Sequence, residues 1–171
     1  MLGFLPFLLF AIVCHAWGPL PGLAAGALSA IALVGHQLAG GRSAKILEVG
    51  TALLFGGLAV YTLISGAQWS VMGVRLTVDI GLFLIVAGSI IVGRPFTMQY
   101  AQETVAPEYW DDFAFREINR KISLVWALAM AAIVVADALL LFMPQLPHAL
   151  AIGMTVAALA GAASYTKRKA N

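Results

Sequence analysis

Charge is scarce in this sequence. Asp, Glu, Lys and Arg supply 11% of 171 residues, where a soluble domain carries roughly 25%. One cysteine, Cys14, leaves no internal disulfide and no cysteine-based metal cluster to expect, and in an apolar run it reads as an inert core residue. No HExxH, GxSxG or P-loop pattern occurs, so the commonest hydrolytic and nucleotide-binding routes have no residues to run on. The three histidines are isolated, without metal-ligand spacing. His15 and His36 belong at opposite faces, which argues against a haem pair. No lysine falls inside an apolar run to anchor a Schiff base, and no paired-acid pattern of a membrane phosphotransferase appears. The net charge of +2 gives no reason to expect nucleic acid. The expectation is a protein that is not an enzyme, with no cofactor, no metal and no catalytic residues.

What is abundant is oil. The chain is 61% hydrophobic with mean hydropathy +0.93, more apolar surface than an ordinary soluble fold can hide. Six apolar segments separate, near 2–17, 20–39, 46–66, 71–93, 122–143 and 147–165. Turn chemistry divides them: "WGPLPG", "GGRS", "SGAQ" and "MPQLP". The opening "MLGFLPFLLFAIV" lacks a basic n-region and reads as a retained first span, kinked or tilted by Pro6. The expected fold is all-α: a single transmembrane domain, a bundle of six membrane helices in the lipid bilayer, with a short amphipathic cytoplasmic helix in the loop 94–121.

Loop charges test the count, because lysine and arginine collect on the cytoplasmic side. With six spans and both termini cytoplasmic, the inner segments hold Arg42, Lys45, Arg94, Arg116, Arg120, Lys121, Lys167, Arg168 and Lys169, nine of the ten basic residues. Losing one span would scatter them across both faces. The tenth is Arg75, inside the fourth span.

Arg75 and Asp79 stand four residues apart, so they face the same way on a helix. By the helical rise, Arg75 lies about 6 Å and Asp79 about 12 Å below the outer end of that span, and Asp137 about 9 Å below the outer end of the fifth. A charge inside the membrane costs on the order of 3 kcal/mol or more and must be paired or hydrated. Two readings stay open. The cluster is a structural clamp in which Arg75 neutralises Asp79, or it is a polar pocket where Asp79 or Asp137 takes a proton, ion or substrate.

Within the loop, "PEYWDDFAFREINRK" puts acids first and bases last, as a helix dipole prefers. Asp112 with Arg116, and Glu117 with Lys121, have pairing distance. Trp110, Phe113, Ala114, Ile118 and Ile122 share a face, which predicts an amphipathic helix over 107–122 at the membrane surface. Arg94, Trp110, Arg116 and Arg120 are the candidate contacts for a partner or for lipid headgroups. Glu48 reads as a solvated partner of Lys45 and Arg42. Gly22, Gly26 and Ala30, and Ala157 with Gly161, are spaced for close helix packing.

The order of these features resembles the bacterial intracellular septation protein A family, inner-membrane proteins tied to envelope maintenance and cell division. The likeness is carried by "FLPFLLFAIV", "EVGTALLFGGLAV" with its "LFGG", Trp69 before the fourth span, "GRPF", "APEYW", and "WALAMAAIVVAD", where a polar residue follows tryptophan–alanine eleven places on. This chain has Asp137 where that family usually has asparagine, no "KWK" after the third span, and a longer Trp110–Trp126 segment. The resemblance implies a non-enzymatic bacterial inner-membrane protein that supports envelope maintenance or septation through protein partners, and it brings no catalytic residues. The alternative is a small transporter or channel using Arg75, Asp79 and Asp137. Nothing in the sequence names an oligomeric state.

Overall fold

Glycines with positive φ stand where the apolar runs end: Gly18, Gly41, Gly66 and Gly93. Gly66, at φ 65°, ψ 21°, closes the helix Ile46–Ser65 in the left-handed conformation that only glycine adopts without strain. The computed structural model describes residues 2–143, 145 and 147–170, so Pro144 and Leu146 of the expected "MPQLP" turn lie outside the described residues. The described residues form helices and no strand: α1 (Leu5–Trp17), α2 (Pro19–Ala39), α3 (Ile46–Ser65), α4 (Val71–Ile91), α5 (Phe96–Ala101), α6 (Phe113–Phe142) and α7 (His148–Ala170). Short 3-10 turns occupy Leu2–Phe4 and Pro107–Tyr109. Five helices are long and apolar enough to cross a membrane, namely α2, α3, α4, α6 and α7; α1, at 13 residues, is shorter. Pro6 does not kink α1. It sits in the first turn, where its missing N–H would have had no helical partner.

The chain divides into two units, one up to Leu82 and one from Phe83 onward. In the first, α1 and α2 form a hairpin about Gly18. Cys14 meets Gly22, four residues either side of the turn, and a Cβ at Gly22 would fall 2.6 Å from the Cys14 Cβ and 2.9 Å from its Cα. Phe55 of α3 closes the open end. Phe7 and Phe10 pack against it with tilted rings, centroids 5.1 and 5.2 Å away, and a Cβ at Gly26 would fall 2.8 Å from its ring. Val74 and Val78 of α4 belong to the same buried cluster. Gly22, Gly26 and Ala30 are all buried, the internal packing their spacing suggested. The Trp69 indole donates to Thr62 Oγ1 at 2.8 Å and pins the α3–α4 loop.

In the second unit α6 and α7 pack along each other, joined by a Trp126 Nε1 donor to Thr166 Oγ1 at 3.0 Å. The packing edge of α7 differs from the expected one. Ala157 and Gly161 are exposed, while Ala151 and Ala162 are buried.

The predicted surface helix over 107–122 is corrected. The chain makes a 3-10 turn at Pro107–Tyr109, where the Trp110 indole donates to the Val105 carbonyl at 2.9 Å. Asp112 is extended (φ −62°, ψ 134°), and α6 then runs unbroken for 30 residues, about 45 Å at 1.5 Å per residue. A hydrocarbon layer is about 30 Å thick. The early turns of α6 therefore extend the fifth apolar run outward instead of forming an element of their own. The expected shared apolar face fails with it, since Phe113 is 83% exposed while Ile122 is buried.

Candidate functional site

The expected polar residues stand on α4, on α6 and in the segment that precedes α6. On α4 the Arg75 Nε stands 3.9 Å from Asp79 Oδ2, an ion pair at its outer limit, with side chains 40% and 20% exposed. Asp79 thus keeps a cation one turn away and partial access to its surroundings. Asp137 belongs to α6 in the second unit and is fully buried. The structure brings Arg75 and Asp79 together on α4 and buries Asp137 on α6.

At the loop, Arg94 is exposed just after Gly93, its amide donating to the Ser89 carbonyl at 3.0 Å. Arg116 pairs with Asp111 and not with Asp112 as expected; Asp112 stands in extended backbone ahead of α6, so the pair lacks the helical four-residue spacing. Glu117 and Lys121 pair as expected, at 3.3 Å. These pairs are largely exposed and contribute little stability. Trp110 is partly buried and Arg120 exposed.

One buried polar group went unread in the sequence, and another was expected as solvated. One ties α5 to α6. Thr97 Oγ1 donates to the Asn119 carbonyl at 2.9 Å, so the 2.8 Å contact between Thr97 Oγ1 and Ser123 Oγ takes its hydrogen from Ser123. Asn119 Nδ2 donates to the Phe115 carbonyl, and the Phe96 amide to Ser89 Oγ. Residues 94–123 are thereby held as an ordered segment, although hydrophobic periodicity carries no sign of it. Replacing Thr97 by valine removes one acceptor and one donor at constant shape. Ser123 can turn to the freed Asn119 carbonyl one helical turn back, so the expected loss is about 1 kcal/mol of stability. Hydrogen exchange should accelerate over Phe96–Ala101 and leave α7 unchanged.

The other lies between α2 and α3. Glu48, expected as solvated, is instead sealed: its side chain is 1% exposed and that of Lys45 5%, with Lys45 Nζ 3.7 Å from Glu48 Oε1. The Gln37 amide nitrogen stands 3.5 Å from the same oxygen. Glu48 Oε2 and Gln37 Oε1 are buried and take no hydrogen bond among the described residues. Three-residue spacing at a helix start was visible in the sequence, but what covers that start was not. Among the described residues, no three His, Cys, Asp or Glu side chains gather as a metal site.

Comparison with protein-family models, curated proteins and solved structures finds no match to this chain.

Proposed function

We propose that the chain is a six-span bacterial inner-membrane protein that works without catalysis, supporting envelope maintenance or septation through protein contacts made by its 94–121 segment. The observation that carries this reading is the order of that segment. It has too few apolar residues to be membrane-embedded, yet Thr97, Asn119 and Ser123 fasten it from within. It also presents Tyr109 (51% exposed) and Phe113 (83% exposed) outward. Exposed aromatics on a rigid support are what protein interfaces use as anchors. The sequence resemblance to septation protein A supplies the biological setting.

The sixth crossing is α1. With the 3-10 turn at Leu2–Phe4 it reaches about 26 Å at the helical and 3-10 rises. The Gly18 hairpin lays it back along α2, so a membrane-crossing α2 carries α1 back across. Both termini then share the cytoplasmic side with the segment.

A photocrosslinker at position 113, in the intact chain in its native membrane, is expected to trap a discrete protein adduct. Tyr109→Ser together with Phe113→Ser should abolish the adduct of a crosslinker moved to position 116, with insertion unchanged. Crosslinking to lipid alone from both positions would remove the reading.

The full burial of Asp137 within a candidate span favours a second reading, because intramembrane acids mark ion and proton paths. In a transporter or channel using Arg75, Asp79 and Asp137, Asp79→Asn or Asp137→Asn abolishes a flux in proteoliposomes without unfolding the protein. Equal leak in all variants and in empty vesicles excludes it.

A further inference from the structure

The Trp126 indole donates to Thr166 Oγ1, so at that level α6 and α7 present these two residues to each other. Trp126 lies 16 residues before the end of α6 and Thr166 18 residues after the start of α7. Both stand at similar distances from the one connection between the helices, which therefore run antiparallel. Eleven residues toward that connection bring α6 to Asp137 and α7 to Thr155. Eleven residues make three helical turns and about 20° more, with a rise of about 16 Å. The same step along both helices keeps Asp137 on the side of Trp126, keeps Thr155 on the side of Thr166, and sets the two at one level. Burial agrees. Met130 and Ile133, on that side of α6, are buried, and so are Ala151 and Ala162 on that side of α7. Gly153, Ala157 and Gly161, on the far side of α7, are exposed. Asp137 and Thr155 thus stand across one seam.

The Thr155 hydroxyl differs from those of the other threonines in the long helices. Thr51, Thr62, Thr77 and Thr166 each donate to the carbonyl four residues back, at 2.6, 2.7, 2.9 and 2.8 Å, the common use of a hydroxyl inside a helix. Thr155 Oγ1 is buried and makes no hydrogen bond among the described residues. It neither returns to its own helix nor reaches Asp137 directly. A buried hydroxyl left so is unfavourable, and across the seam from it is a fully buried carboxyl group. A small metal ion holds oxygen ligands at about 2.3–2.6 Å, so two of its ligands stand up to about 5 Å apart. That is beyond a hydrogen bond and within the spacing of packed helices, whose axes lie about 8–10 Å apart.

We propose that Asp137 and Thr155 form a Na+ site in the α6–α7 seam. The carboxylate supplies the charge and the hydroxyl oxygen a second ligand, with backbone carbonyls and water completing the shell. Oxygen donors alone favour hard cations over transition metals. One carboxylate balances one positive charge, whereas a divalent ion on the same two ligands would carry an excess into an apolar seam. A proton needs only the carboxylate and gives Thr155 no task. The inference deepens the transporter reading by naming its ion, and it rests on that reading for a path across the membrane.

Equilibrium binding of radiolabelled Na+ to the full-length protein in detergent, with choline holding the ionic strength constant, reads the site without transport. The wild-type protein should bind one ion per chain, saturably, and Asp137→Asn should abolish that binding. Thr155→Val keeps the shape and removes the ligand. It should weaken binding by about tenfold or more, since groups that merely orient a metal's ligands already count for about 10–100-fold. Thr155→Ser should restore most of the affinity, and helix content should be the same throughout. Unlabelled Na+ should displace the label at lower concentration than K+ or Ca2+ does. Should Asp137→Asn fail to fold, the contrast between Thr155→Val and Thr155→Ser decides. No saturable binding by the wild-type protein, or equal binding in Thr155→Val, overturns the proposal, as does readier displacement by K+ or Ca2+. Na+ binding without any flux in proteoliposomes upholds the site and removes the transporter reading. An Asp137-dependent flux driven by a proton gradient in Na+-free medium upholds that reading and removes the Na+ site.

Discussion

Lys45→Met lowers the unfolding free energy by about 3–5 kcal/mol, the usual cost of removing one partner of a buried ion pair, and Lys45→Met with Glu48→Leu recovers most of that loss. The asymmetry follows from the setting of Glu48. Its carboxylate is 1% exposed, with Lys45 Nζ 3.7 Å away and the Gln37 amide nitrogen at 3.5 Å, and its second oxygen takes no hydrogen bond among the described residues. Without the ammonium, a carboxylate remains in a low-dielectric place with weak compensation. Removing both charges takes away the buried carboxylate, leaves the Gln37 amide as the polar group still facing the site, and lets two apolar side chains of similar length fill the space. The measurement is a double-mutant cycle from denaturant unfolding in mild detergent, followed by circular dichroism. A solvated pair, as the sequence suggested, would give less than about 1 kcal/mol for either single change.

The second large effect separates glycines by what faces them. Gly22→Val should destabilise the first unit by about 3 kcal/mol, the upper part of the range for forced overpacking. The added Cβ would fall 2.6 Å from the Cys14 Cβ, and also 2.9 Å from its Cα and 3.0 Å from its backbone nitrogen. Backbone atoms cannot swing aside as a side-chain tip can, so α1 and α2 must part and lose contacts across the hairpin. Gly161→Ala, on α7, has nothing within 4 Å of the new Cβ. That change should be neutral or slightly stabilising, since alanine gains up to about 1 kcal/mol over glycine in a helix interior. Unfolding of the two variants under one set of conditions tests the contrast, and equal destabilisation would contradict it. The outcome also bears on α7. Its Ala157–Gly161 spacing looked like a packing motif, but both residues are exposed, so substitutions there should leave the α6–α7 pair intact.

These two cases show what could be read from the residues. The helices α2, α3 and α4 follow continuous apolar runs closed by glycine, and their observed ends lie within two residues of the expected ones. Long apolar helices are set by local composition, so local reading suffices. The start of α6 was misplaced because the acid-to-base gradient of 107–121 suits a free amphipathic helix as well as the outer turns of a longer one. The choice was made by contacts from elsewhere in the chain: the Trp110 indole folding back to Val105, and Thr97 drawing Asn119 and Ser123 inward. The Arg75–Asp79 spacing foretold their ion pair, since both residues ride one helix. The seal over Lys45 and Glu48 was illegible for the opposite reason. Three-residue spacing says which groups can meet, and says nothing of what covers them.

If α1 returns across the bilayer beside α2, as proposed, both ends of the chain lie on the same side as the 94–121 segment. Single cysteines at Gly3, Gln68, Thr104 and Arg168, each introduced with Cys14→Ser, can be labelled by a membrane-impermeant maleimide in intact and in permeabilised spheroplasts. The expected result is that only position 68 reacts before permeabilisation, while positions 3, 104 and 168 react after it. Early labelling at position 3 with 104 and 168 still protected would leave five crossings and contradict the account.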